Sequence, residues 1–387
     1  MPIGRFIINN SKRDAHVPYT NTSLSPDTIA IAYILLTHSN PTISYRLITS
    51  LNSSNTVFIV HVDGKASDVF DNLTALAGGH ENVYFVQDRQ VLTWGGYSIV
   101  NATLQAMHLL VQLAIPYDYV VTLSGTTYPI KSNTYIKQVL TRDPHMLYMD
   151  LLSKPFRPPA HLWHQYIECD DALHRIARFS LPRGINMYQG SQWFALPRDV
   201  VQWLLSSKLT SEFAEYAQYI VVPDENFFST LVINSPYCSR PRQNSLTFLL
   251  FDQWENEKVG GDMKKCVGWG NKSCGRSPLT LTYTEHKHLV QASWALFARK
   301  FDPSLQDSMR LIDYIDKKRG HVDPAERAMW DSNRSHDDQQ AVAIRVLKNS
   351  HCLQIDKQGN KLSAQVCTRK LNQQFATSRS PFHLHIE

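Results

Sequence analysis

The chain has 387 residues, 43% of them hydrophobic and 19% charged. That is enough apolar mass for a full core and too few charges for a disordered chain. Thirty-nine basic against 34 acidic residues leave a net charge of +5, compatible with a phosphate-bearing ligand but too weak and scattered for a nucleic-acid binder. Residues 1–27 are polar and read as a loose arm. IAIAYILL (29–36), the longest apolar run, is a strand's length and far short of the ~20 residues that span a bilayer. A helix is expected over 42–51, strands at TVFIVHVD (56–63) and NVYFVQ (82–87), a helix over 97–113 and a strand at DYVVTLS (118–124). Alternating strands and helices imply an α/β protein with a mostly parallel sheet flanked by helices. Such sheets bind ligands beyond the carboxyl ends of their strands. Farther on, short strands (MLYMDL, QWFALP, TFLLF) mix with helices such as 199–206, and helix dominates from 290 to 318. Rising charge and a lost apolar period mark 319–350 as a linker or surface helix before a short tail, 351–387.

The N-terminus lacks the apolar centre and cleavage site of a signal peptide. The protein is therefore cytosolic, or any membrane association runs through a segment that this chain does not contain. Seven N-x-S/T acceptors, at Asn9, Asn21, Asn52, Asn72, Asn101, Asn271 and Asn333, exceed the roughly three that this composition gives by chance. Six cysteines, with Cys266 to Cys274 and Cys352 to Cys367 at spacings for small disulfide loops, add to this. Both features favour a secretory-pathway lumen.

No phosphate-binding glycine motif, zinc spacing, nucleophile elbow or Asp-x-Asp pair occurs; Glu168-Cys169-Asp170 comes nearest to the last. HVDGK (61–65) ends a strand with Asp63, which either caps a turn or bonds a ribose or base. TWGGYS (93–98) opens a helix whose N–H groups are suited to an anion. PDENFFSTLV (223–232) sets Asp224 and Glu225 before an apolar helix, an acidic pair of the kind the helix macrodipole favours. Arg299 and Lys300 lie between aromatics in FARKF, to be matched by a salt-bridge partner or a diphosphate. Trp94 and Trp193 are either core aromatics or flat faces for a sugar or uracil.

In order, YILLTH, HVDGK, TWGGYS, LSGTTYPIKS, GSQWFAL, PDENFFSTLV and FARKFD resemble the core-2/I-branching glycosyltransferase family. ECDDALHR…LPRGI, ENFFSTLVINSPYC and the W-x-x-x-x-C-x-x-S-P element at 269–278 are similar to its protein O-xylosyltransferase branch. The resemblance implies a catalytic domain over 28–318 with an A-type nucleotide-sugar transferase fold in a variant that needs no metal, and an inverting mechanism. It implies Glu225 as the base. Arg299 and Lys300, helped by Ser277, would hold the diphosphate of a UDP-sugar. Asp63 and Leu92, Thr93 and Trp94 would line the UDP site, with Leu35 nearby. Gln192 and Trp193 would lie at the donor sugar. No cofactor is implied. The partners are a UDP-sugar and a protein or glycan acceptor, and the compartment is the Golgi or endoplasmic reticulum lumen.

Three positions depart from the xylosyltransferase pattern. Gln192 replaces an acid before Trp193, and Arg276 replaces a cysteine and is closer to the branching N-acetylglucosaminyltransferases. Cys238 lacks its usual N-terminal partner, with Cys169 the candidate replacement. UDP-xylose to a protein serine is the favoured reaction, with β-1,6-N-acetylglucosaminyl transfer or a non-catalytic carbohydrate binder as alternatives. The tail segment CLQIDKQGN…VC…NQQF resembles one repeat of a ricin-type β-trefoil lectin; otherwise it is a disulfide hairpin.

Overall fold

The protein is represented by a computed structural model that describes residues 24–151, 164–178, 184–250 and 278–319, with the backbone of 352–355 and 362–365. The continuously apolar runs expected as buried strands are β1 (Ile31–Thr37), β2 (Thr56–Val62) and β4 (Tyr119–Ser124), with the shorter β3 (Val83–Phe85) at one edge. All seven residues of β1 and of β2 are buried, because helices cover both faces of the sheet. Beyond β4 lie β9 (Gly190–Pro197), β6 (Leu147–Leu151) and β10 (Pro241–Gln243). The strand order is β10-β6-β9-β4-β1-β2-β3. β9 alone runs against its neighbours β4 and β6; the other pairings are parallel. This is the mostly parallel α/β class that the strand and helix pattern implies.

Alternate residues of each strand feed two cores. Ile31, Tyr33, Leu35, Phe58 and Val60 pack under α1 (Pro41–Leu51), α2 (Ser67–Ala77) and α4 (Asn133–Arg142). Ala32, Ile34, Val57 and Ile59 pack under α3 (Ser98–Gln112), α5 (Arg198–Ser206), α6 (Lys208–Ala217) and α7 (Phe227–Ile233). Local chemistry starts the helices. Asn40 accepts the Ile43 N–H at 3.1 Å ahead of Pro41, and Ser132 accepts the Tyr135 N–H at 3.2 Å. At the far ends of β1 and β4, Gly125 is needed for packing, since a Cβ there would stand 2.9 Å from Thr37 Cβ.

The helix expected through 290–318 is broken into α8 (Tyr283–Ala292) and α9 (Gln306–Arg319). Between them β12 (Phe297–Ala298) pairs with β5 (Tyr128–Pro129) and with β11 (Thr247–Phe248), which is all that TFLLF contributes as strand. Apolar spacing alone does not separate a buried helix from a buried two-residue strand. Helices α2, α4 and α6, and a hairpin of β7 (His164–Cys169) and β8 (Ala172–Arg178), are further elements that the sequence reading does not place. In the tail, β13 (Cys352–Ile355) and β14 (Leu362–Gln365) pair antiparallel as a hairpin. The arm up to residue 23, and the linker from 320 to 350, lie outside the described residues.

Cys169 is free and Cys238 is disulfide-bonded, so Cys169 is not the partner of Cys238. Cys266 and Cys274 lie outside the described residues. Asn72 and Asn101 stand on helices rather than in loops, and the Thr103 of the second acceptor is buried, its hydroxyl donating to the Ile99 carbonyl. No helix among the described residues is long and apolar enough to cross a membrane.

Asp316 ties α9 to α1 and β5. Arg46 on α1 donates to Asp316 from Nε at 3.1 Å and from a terminal nitrogen at 2.7 Å, and the Tyr128 hydroxyl reaches both Asp316 oxygens at 2.9 Å. Arg319 adds a further ion pair to Asp316 at 3.1 Å. Asp316→Ala removes the shared acceptor of three donors and should cost about 2 kcal/mol, a figure reduced for its partial exposure. Urea unfolding checks this, and an unchanged midpoint would assign the helix to apolar packing alone.

Candidate active site

The carboxyl ends of β1, β2 and β4 open toward three loops that the fold draws together. Asp63, 5% exposed, follows β2. Its Oδ1 accepts the Lys65 N–H at 3.0 Å and the Leu92 N–H at 3.3 Å. Asp63 is thus the cap of its own turn and, through Leu92, the tie to the 92–98 segment. In that segment Thr93 is buried, its N–H donating to Ser98 Oγ at 3.0 Å, while Trp94 is 71% exposed. Gly95 holds φ +73°, a region costly for other residues. Its carbonyl accepts the Val222 N–H at 2.8 Å, and Tyr97 meets Phe227 edge to face at 6.1 Å. These contacts bring the loop against the turn that carries the acid pair.

Residues 223–225 form one 3₁₀ turn ahead of α7. Asp224 is 8% exposed and Glu225 half-buried. Glu225 Oε2 accepts from the Gln189 amide at 3.0 Å, just before β9. Burial raises the Glu225 carboxyl above the ordinary range, and the Gln189 amide pulls it back. Burial first, then the Glu225 charge, pushes the Asp224 carboxyl up to about 7, opposed by backbone N–H groups and by Arg299.

Arg299 follows β12. Its guanidinium lies over the Trp193 ring, 4.4 Å from the centroid. Burial draws it down to about 10 against the pull of Asp224, and it stays a cation at neutral pH. Asp224 Oδ1 and Arg299 Nε have no hydrogen-bond partner among the described residues. The two are electrostatic neighbours with bonding capacity to spare. Lys300, next after Arg299, is half-buried, its carbonyl held by the Leu281 N–H at 2.8 Å.

The described residues therefore bring together Asp63, Leu92, Thr93 and Trp94 on one side, and Glu225, Trp193 and Arg299 on the other. The two sides meet through the Gly95–Val222 bond. Gln192 precedes Trp193 on β9 and is half-buried, its carbonyl accepting from the Thr122 hydroxyl at 3.1 Å. Leu35 is different: it is 1% exposed inside the β1 core, so its side chain packs the sheet rather than lining a cleft. Arg276 and Ser277 lie outside the described residues. The two tryptophans divide, Trp193 being 5% exposed and Trp94 free-standing.

The N–H groups opening α3 are not all open to an anion, because Glu168 Oε2 already accepts the Ser98 N–H at 2.9 Å. A protein carboxylate occupies the place that the glycine pattern suggested for a ligand. The same bond accounts for Glu168, the nearest approach to an acidic metal pair, as a helix cap. Among the described residues no group of three or more His, Cys, Asp or Glu is placed to hold a metal ion. Gln189, Asp171 and the cap role of Glu168 escape sequence reading, since each acts on a residue far along the chain.

The elevated Asp224 carboxyl has a measurable consequence. Its folded-state value of about 7 exceeds the ordinary 3.8, so folding takes up a proton and stability falls as pH rises from about 4 to 7. Asp224→Asn cannot titrate there. Its stability relative to the parent should grow across that window, as read by denaturant midpoints at successive pH values. Parallel profiles for the two proteins would show that Asp224 is not desolvated.

The profile of the Core-2/I-Branching enzyme family matches residues 31–274. Similar curated proteins include xylosyltransferase 1 of Rattus norvegicus, 26% identical over 345 residues covering 85% of this chain and 41% of that protein. Xylosyltransferase 2 of Mus musculus is 28% identical over 316 residues, 79% of this chain and 36% of that protein. The chain spans less than half the length of these relatives. Among solved structures, the 4-diphosphocytidyl-2C-methyl-D-erythritol synthase of Anaerococcus prevotii shares 12% identity over 53% of this chain and 90% of its own, with a TM-score of 0.26. With its profile match running from β1 through the acid pair and β11, over more than half of its length, the chain belongs to the core-2/I-branching enzyme family.

Proposed function

We propose that the chain is an inverting glycosyltransferase that moves xylose from UDP-xylose to a serine hydroxyl of a protein acceptor. The observation that supports this most is that Glu225, hydrogen-bonded to Gln189 just before β9, adjoins Asp224, whose electrostatic neighbour Arg299 lies over Trp193 of the same strand. In this reading the acceptor oxygen attacks the anomeric carbon opposite UDP. The new carbon–oxygen bond forms as the bond to the β-phosphate oxygen breaks, and that oxygen keeps the electron pair. Glu225 takes the hydroxyl proton; its carboxyl, raised by burial, is a stronger base than a free one. Negative charge growing on the diphosphate meets Arg299 and Lys300, cations that need no reorganisation at the moment of reaction. Arg276 and Ser277 would add to that clamp. Asp63, Leu92, Thr93 and Trp94 would receive the nucleoside, and Trp193 and Gln192 the sugar.

The relatives named xylosyltransferase support the donor, and the disulfide of Cys238 fits an oxidising lumen such as the Golgi or endoplasmic reticulum. Gln192 favours a second reading. An amide donates as well as accepts, so it suits an N-acetyl group where a carboxylate would suit two sugar hydroxyls. Transfer of N-acetylglucosamine to a branched glycan is that alternative. Retention of Glu225 and Arg299 speaks against a non-catalytic carbohydrate binder.

A panel of UDP-sugars, assayed for UDP release with and without EDTA, tests this. UDP-xylose should be turned over fastest, and excess EDTA should leave the rate unchanged. Gln192→Asp should hold or raise turnover of UDP-xylose. Faster use of UDP-N-acetylglucosamine would replace the donor. Loss of activity with EDTA, restored by Mn²⁺, would replace the cationic clamp with a metal.

A further inference from the structure

The β7–β8 hairpin stands outside the main sheet and grips the 92–98 segment at several points. Glu168 Oε2 accepts the Ser98 N–H at 2.9 Å. At the hairpin turn, Asp171 takes the Lys65 ammonium at 2.5 Å, and that ammonium also donates to the Leu92 carbonyl at 2.9 Å. Leu173 borders Gly95, 3.5 Å from where a Cβ would stand. Gly96 leaves room for the Glu168 carboxylate; a Cβ there would lie 2.5 Å from the Glu168 carboxyl carbon. The hairpin is itself anchored, the Tyr166 N–H donating to the Tyr219 carbonyl at 2.9 Å.

The chemistry of this contact is specific. α3 has no side-chain cap from its own cap residue. A carboxylate on its first N–H is favoured by the exposed donor and by the helix dipole together. The pair of glycines is then explained without a ligand: Gly95 supplies the left-handed turn and Gly96 the space for Glu168. Between the two polar ties sits the exposed Trp94.

We infer that Glu168 is a positioning residue for the donor, the hairpin using it and the Asp171–Lys65 bridge to hold the 92–98 segment in the arrangement that receives UDP. This rests on the UDP-sugar reading above. A loop that takes its competent arrangement only part of the time binds more weakly by that fraction. A lost hydrogen bond to a charged acceptor is worth about tenfold or more in such an equilibrium.

The test titrates UDP alone into the parent protein, Glu168→Gln, Glu168→Ala, Gly96→Ala and the Gly96→Ala/Glu168→Ala double variant. Amide exchange of residues 92–98 is followed in each, with thermal midpoints to show that each is folded. Glu168→Gln keeps an oxygen that accepts from Ser98 and should bind UDP nearly as the parent does. Glu168→Ala should bind UDP about tenfold or more weakly, with faster exchange at Ser98. Its KM for the donor should rise while kcat at saturation changes little. Gly96→Ala should also weaken binding, because the new methyl meets the Glu168 carboxylate, and removing that carboxylate in the double variant should restore part of the loss. UDP binding by Glu168→Ala equal to the parent's would overturn the inference. Unchanged exchange at Ser98 would overturn it independently of any ligand. Failure of the parent itself to bind UDP would overturn the donor reading, and the positioning role with it.

Discussion

Glu225→Gln should leave the protein folded and able to bind UDP while lowering sugar transfer by roughly 10²–10⁴. The substitution keeps the shape of the side chain and an oxygen able to accept from the Gln189 amide, which in the parent lies 3.0 Å from Glu225 Oε2. What it removes is the capacity to take a proton from the attacking hydroxyl. The loss should therefore fall on kcat, with the UDP dissociation constant and thermal midpoint close to those of the parent. Initial rates at saturating donor, with calorimetric titration of UDP, check this. Near-normal turnover would return Glu225 to the role of a helix-end acid and shift attention to Asp224, the more deeply buried member of the pair.

Arg299→Met should lower kcat/KM by about 10²–10³, the effect of removing one fixed donor from a site of developing negative charge. Arg299→Lys should recover little of it. A lysine keeps the charge, but it lacks the planar guanidinium that lies over Trp193 in the parent, 4.4 Å from the ring centroid. Its ammonium would have to leave that face to find other partners. Removing Arg299 also takes away the cation that holds the Asp224 carboxyl down, so protonation of Asp224 should move further upward in Arg299→Met. Steady-state kinetics of the three proteins with one donor decide the matter. Full activity in Arg299→Lys would mean that charge alone, and not its stacked placement, serves the diphosphate.

The central sheet was legible because its strands carry their burial in their own sequence. Ile31–Thr37 and Thr56–Val62 are apolar at nearly every position and are buried at every position. The ends of α1 and α3 agree with the expected ranges within a residue. Legibility failed where short elements borrow stability from elsewhere. Phe297–Ala298 is a strand only because Tyr128–Pro129 and Thr247–Phe248 lie beside it. Leu35, which the resemblance puts near the UDP site, has its side chain in the core, because helices cover β1 on both faces.

Residue pattern by itself determined the α/β class, the buried strands, the polar carboxyl ends and the acid pair ahead of an apolar helix, since periodicity and burial repeat over a few neighbouring positions. Tertiary structure alone decided which partners those residues meet. Gln189 reaches Glu225 across 36 residues, Glu168 reaches Ser98 across 70, and Asp171 reaches Lys65 across 106. Nothing local marks such pairs, because each side chain satisfies its own stretch equally well in many folds. Only packing of the hairpin and the 3₁₀ turn against the 92–98 loop made a helix cap of Glu168, and only the close approach of β9 to the loop after β12 laid Arg299 over Trp193.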